Sequence, residues 1–135
     1  MRVLLLLIIL MVPMGAGASD YVVVVSKDSP IDFVDGSKVK SIFLKQRKLY
    51  GKARLIPVNL VGSKSPRPLF EERVLLMSRE EINNYWIRGH FEGLTPPATQ
   101  ASLESIKQFV KTVEGAIGYL PKSMLDPGLK VVHEF

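Results

Sequence analysis

The sequence predicts a layered α/β domain with a mainly parallel sheet. Three observations predict it. Apolar, β-branched runs such as Tyr21–Val25 are too continuous for a sheet with one wet face; amphipathic stretches separate them; and Gly, Pro or Ser marks each junction. Strands and helices alternate along the chain, which is the pattern of βα layering. No internal repeat and no linker divides the chain after its first residues.

The first strand is Tyr21–Val25, ended by Asp28-Ser29-Pro30. A helix is expected from Ser37, because Val39, Ile42 and Phe43 share one face. Gly51 breaks a basic stretch, and Ala53 to Val58 reads as the second strand. Leu69, Phe70, Val74 and Met77 then fall on one face of a helix, with Ser65 as its N-cap and Pro66 as its first residue. Ser78-Arg79-Glu80-Glu81 is a capping box opening a further helix, whose apolar face is Ile82, Tyr85 and Trp86 and which Gly89 can stop. Pro96-Pro97 is an exposed turn. Leu103, Ile106, Val110 and Val113 define another helix; Ala116 to Leu120 is a strand opened by Gly115, and Leu129 to Val132 a last strand.

Residues 1–18 read as a secretory leader: Met1-Arg2, an apolar run from Val3 to Val12, then Ala16-Gly17-Ala18 before a mature start at Ser19. The run is too short for a membrane anchor, which needs about 20 apolar residues. The 117 residues that follow make one domain, expected to be periplasmic, with a net charge of +4. No Cys is present, so neither a disulfide nor lipid attachment at Cys is available, and apolar burial must stabilise the domain. Lys45, Arg47, Lys48, Lys52 and Arg54 cluster, which reads as a solvated face, and a nucleic-acid partner is not expected for an exported chain. His90 and His133 are far apart, with no carboxylate at metal-ligand spacing, so neither a metal nor a cofactor is expected.

The stretch that carries function is Asn59 to Arg67. A strand, a Gly-Ser turn and a helix start bring backbone N–H groups and the positive end of a helix dipole together, which is how anions are often held. Gly62, Ser63, Lys64, Ser65 and Arg67 are the candidate oxyanion-binding residues, the serines through hydroxyls and Lys64 and Arg67 through charge. Any capped helix after a turn presents the same pattern, so a purely structural loop is the competing reading. Ser63 and Ser65 have no identified His base and the glutamates fall on solvent-facing helix positions, so no catalytic set emerges and an enzyme is not expected.

Several strings resemble the phosphate-binding-protein family, the extracytoplasmic solute receptors of ABC uptake systems. Gly115-Ala116-Ile117-Gly118-Tyr119-Leu120 resembles its G-A-I-G-Y-V segment, and Ser41-Ile42-Phe43-Leu44-Lys45 its D-I-F-L-G-K segment. Gly62-Ser63-Lys64-Ser65 stands where the family has G-S-G-T, and Tyr85-Trp86, Phe91, Gly93 and Pro96-Pro97 match a short subgroup. The resemblance spans residues 21 to 121 and implies a single lobe of a periplasmic-binding-protein-like fold, without its companion lobe. Asn59 replaces the family's arginine, Val61 its acidic residue, and Lys64 the Gly of G-S-G-T; Gly62, Ser63 and Ser65 carry over. The resemblance therefore implies an exported domain, phosphate-receptor-like, with a weak site for phosphate or another oxyanion and a homodimer, partner protein or ABC permease beside it. The alternative is a periplasmic protein-protein interaction module built from such a lobe, with no small-molecule ligand.

Overall fold

The computed structural model describes residues 20–135; the expected leader and the mature start at Ser19 lie outside the described residues. Seven strands and four helices follow the chain: β1 Tyr21–Ser26, α1 Gly36–Phe43, β2 Leu49–Tyr50, β3 Ala53–Arg54, β4 Ile56–Leu60, α2 Arg67–Phe70, α3 Arg79–His90, β5 Ala98–Gln100, α4 Leu103–Thr112, β6 Ala116–Pro121 and β7 Leu129–Glu134. Five of the strands form one sheet in the order β5-β4-β6-β1-β7. β4 pairs parallel with β5 and β6, whereas β1 pairs antiparallel with β6 and β7, so four strands run one way and β1 alone runs against them. The fold is the expected α/β lobe with mostly parallel strands.

Burial explains the sequence of the central strands. Val22, Val23, Val24 and Val25 are wholly buried, and so are Ile117, Tyr119 and Leu120 on β6, because helices cover both faces of the sheet. α4 lies on one face with Ile106 and Val110 against β6, and its hydroxyl cap is Ser102, which accepts from the Ser105 N–H. The opposite face carries α1 and α2. There Phe43, Phe70 and Tyr119 form one aromatic cluster, with the Phe70 and Tyr119 rings stacked at 4.2 Å. Gly118 points the other way, and a Cβ there would come within 3.0 Å of Val110 and Val58 methyls and 2.9 Å of an Ile106 methyl. Only the bare backbone lets α4 approach this closely.

The structure redraws several expected elements. The single strand expected over Ala53–Val58 is two: β3 pairs with β2 in a small hairpin turning at Gly51, and β4 begins at Ile56 and runs to Leu60. β5 and the hairpin were invisible to periodicity because each strand is only two or three residues long. The helix expected from Ser65 to Met77 is α2 followed by a π-helical turn over Glu71–Leu75, closed by Leu76 in the left-handed conformation. Ser65 does not cap it: Pro66 stands at the cap position, and Pro68, at the second helical position, lacks the N–H that a capping side chain would bind. α1, expected from Ser37, begins one residue earlier at Gly36 with Asp35 as its N-cap; α3 starts as expected on the Ser78 capping box and continues past Gly89 to His90.

The two ends of the described chain meet. Tyr21 and Phe135 exchange both backbone hydrogen bonds, at 3.3 and 2.9 Å, and their rings stack at 5.7 Å. Residues 20–135 thus hold a five-stranded sheet with helices on both faces and one apolar core cluster.

Candidate functional site

The loop of interest leaves the carboxyl end of β4, the middle one of three parallel strands. Carboxyl ends of parallel strands are where open α/β sheets place ligands. The end of β4 is fixed from below: the Tyr119 hydroxyl donates to Asn59 Oδ1, and the Leu60 N–H is shared between Asn59 Oδ1 at 3.1 Å and the Tyr119 oxygen at 3.2 Å. Burial pushes the Tyr119 phenol up to about 12, with the Leu60 N–H pulling the other way. Asn59, where the resemblance would place an arginine, is therefore a buried structural residue whose side chain faces the core.

Gly62 adopts φ +66°, the left-handed region that favours glycine, and turns the chain so that Ser63, Lys64 and Ser65 are all exposed. Neither serine side chain makes a hydrogen bond among the described residues. Lys64 Nζ reaches across to the Ala101 carbonyl at 3.0 Å, tying the loop to the segment after β5. Val61 N donates to the Gln100 carbonyl at 2.9 Å, which extends that tie. The backbone offers little at the helix start: Pro66 and Pro68 have no N–H, and the Arg67 N–H is used on the Lys64 carbonyl.

Arg67 turns inward. Its Nη1 donates to the Leu60 carbonyl at 2.8 Å, and its Nε lies 3.7 Å from Glu71 Oε1. Glu71 is 5% exposed and also pairs with Arg79 Nη2 at 2.7 Å. The same Arg79 Nη2 donates to the Gly62 carbonyl at 3.2 Å. Two guanidiniums thus meet one carboxylate beneath the loop, leaving one net positive charge. Burial raises the Glu71 carboxyl above its ordinary range while Arg79 and Arg67 pull it down. A shallow groove beside the loop is lined by Ser63, Pro68, Glu71, Glu72, Leu76, Met77, Ser78 and Arg79, so Ser63 and Arg79 border the same open space, with the Glu72 carboxylate on it as well.

Of the five predicted residues, Gly62, Ser63, Lys64 and Ser65 share the exposed loop, and Arg67 lies under it. Glu71 and Arg79 were not anticipated. Their signal in the sequence was the run of charge at a helix end and the start of the next helix, which reads equally as solvated surface. His133 sits on β7, the far edge of the sheet from β5, its Nδ1 3.0 Å from the Val34 carbonyl, and His90 is exposed on α3. Among the described residues no group of three His, Asp or Glu side chains is placed to hold a metal, and no helix is long and apolar enough to cross a membrane.

No protein-family model matches the chain, and no curated protein matches it in sequence. Solved structures do. A Clostridium perfringens protein described as a phosphate ABC transporter substrate-binding protein, with bound phosphate, matches with a TM-score of 0.69 at 20% identity. An ABC-type phosphate transport receptor from Vibrio cholerae matches with a TM-score of 0.66 at 15% identity, and PstS from Borrelia burgdorferi with 0.64 at 12%. Each alignment covers 84% of this chain but only 44%, 45% and 46% of the respective neighbour. The chain thus has the fold of part of these proteins and spans less than half their length.

Proposed function

We propose that this chain is an exported oxyanion-binding lobe, taking phosphate or a similar oxyanion weakly at Gly62, Ser63, Lys64, Ser65 and Arg67. One observation carries the reading: the exposed loop at the carboxyl end of β4 offers two uncommitted serine hydroxyls above a cluster with an excess guanidinium charge. The fold neighbours, whose descriptions name phosphate, support the choice of ligand. In this arrangement Ser63 and Ser65 donate to the anion, Arg79 supplies the nearest guanidinium with free N–H groups, and Arg67 acts through its field and by holding the Leu60 carbonyl. The described residues offer one wall of a site. A partner lobe or a second copy of the chain supplies the other, so affinity for the lone domain is weak.

The second reading, an interaction module of the periplasm without a small ligand, is favoured by the commitment of Lys64 to Ala101 and of Arg67 to Leu60. Isothermal titration against phosphate and sulfate separates the two. Heat at millimolar phosphate that is lost in Ser63→Ala/Ser65→Ala is the expected result. A silent titration, or an unchanged one in that variant, overturns the oxyanion reading.

A further inference from the structure

From Gly36 to Phe70 the chain contains nine Lys and Arg and no Asp or Glu. Five of them, Lys45, Arg47, Lys48, Lys52 and Arg54, fall in the connection between α1 and β4. There Lys45 takes a left-handed conformation (φ 60°) that closes α1, and the N–H groups of Gln46 and Arg47 both bind the Ser41 carbonyl, at 2.9 and 3.1 Å. The arm is therefore held in a fixed direction. None of these five side chains makes a hydrogen bond or an ion pair among the described residues, whereas α3, α4 and β7 each pair at least one of their charges. Within the β2–β3 hairpin, Tyr50 and Ala53 face each other across the turn and are half-buried, whereas the opposing pair Leu49 and Arg54 is exposed. Leu49, 54% exposed, is an apolar side chain standing among cations and covered by nothing.

We propose that this arm docks the domain onto an anionic phospholipid surface, with Arg47, Lys48, Lys52 and Arg54 on the lipid phosphates and Leu49 between the headgroups. A uniformly positive patch needs a counter-surface of the opposite sign. An exposed leucine among the cations matches an interface that is charged at its face and apolar just beneath, the combination that peripheral membrane segments use. Asp28 and Glu114 stand across a groove from Lys52 and Arg54, unpaired with them, and leave the arm in excess positive charge. The geometry also serves display. The hairpin is rooted at the amino end of β4 and the Gly62–Ser65 loop leaves its carboxyl end, so a domain lying on its hairpin holds that loop about 15 Å or more from the surface.

The test uses residues 20–135, sedimented with vesicles of phosphatidylcholine alone or mixed with phosphatidylglycerol. Binding to the mixed vesicles and not to the neutral ones, weakening as salt is raised, is the expected result. Arg47→Ala/Lys48→Ala/Lys52→Ala lowers partitioning roughly 100-fold, about fivefold per cation, with an unchanged thermal melt because these exposed side chains make no hydrogen bond or ion pair. Leu49→Ser lowers it roughly threefold to tenfold without changing the salt dependence. Equal partitioning to both vesicle types, or an unaffected triple variant, overturns the proposal. Loss in the triple variant with no effect of Leu49→Ser overturns the placement of Leu49 between the headgroups, since charge alone then makes the contact.

Discussion

Replacing Tyr119 by Phe removes one oxygen from the middle of the sheet and leaves the ring where it is. The aromatic contacts with Phe70 at 4.2 Å, Phe43 at 6.1 Å and Phe135 at 6.3 Å need no hydroxyl, so the packing contribution is retained. What disappears is the bond to Asn59 Oδ1 and one of two acceptors for the Leu60 N–H. The Leu60 N–H keeps Asn59 Oδ1 at 3.1 Å, so no donor is left bare. The expected cost is that of one ordinary hydrogen bond, about 1 kcal/mol, or roughly 4 °C in the melting midpoint of a domain this size. Asn59→Ala strips the acceptor from a buried phenol and costs more, about 2–3 kcal/mol. Urea unfolding of the two variants, with an unchanged slope, measures both. The alkaline limb gives a second readout. With its folded pKa raised to about 12 from 10.0, Tyr119 contributes stability that is fully present below pH 10 and is lost as pH rises toward 12. The Phe variant lacks that loss. A Tyr119→Phe protein as stable as its parent, or less stable than Asn59→Ala, refutes the account of how β4 is anchored.

Gly118→Ala overpacks the contact between β6 and α4 and costs about 1–3 kcal/mol; combining it with Val110→Ala recovers part of the loss in the same urea assay. Arg67→Ala leaves the Leu60 carbonyl and the buried Glu71 short of a partner and costs about 3 kcal/mol, whereas the exposed Lys64→Ala changes stability by less than about 0.5 kcal/mol, as thermal melts of the two will show. Arg67 and Arg79 both hold the buried Glu71, so neither is a simple probe of anion affinity, and Ser63→Ala/Ser65→Ala is the better one. Asp126 is held down to about 2 by Lys111, the Gly128 N–H and Lys107, so its contribution is present above pH 3.8 and lost as pH falls from 3.8 toward 2. Acid titration of Asp126→Asn should show a flatter loss over that window.

The layers of this fold were legible because burial on both faces writes itself into composition. Val22–Val25 and Ala116–Leu120 have no polar residue to spare, and the Ser78 capping box and the Leu103–Val113 spacing are local signals that tertiary context left alone. The hairpin and β5 were not legible, since two or three residues carry no period. The helix after the loop departs from expectation in its first turn, where Pro66 takes the cap position and the Arg67 N–H between the two prolines is spent on the Lys64 carbonyl rather than on Ser65. In the candidate site the exposed loop could be read directly from Gly62-Ser63. The guanidinium pair beneath it could not, because Glu71 and Arg79 look like surface charges until the π-helical turn folds Glu71 inward against both Arg67 and Arg79.

The handshake between Tyr21 and Phe135 has a mechanical and an architectural consequence. A chain that enters and leaves through one spot can be spliced into a loop of a host protein with little more strain than a short surface insertion, because the host needs to open by only the width of two paired strands. The same adjacency makes the topology closable. A few residues joining 135 to 20 would produce a ring, and reopening that ring at the exposed turn around Gly93, where a Cβ meets nothing within 4 Å, yields a permuted chain with the same sheet. Pulled apart by its ends, the unpermuted domain is loaded across β1 and β7 in the peeling direction, and these strands would part before the parallel trio of β4, β5 and β6 feels the load.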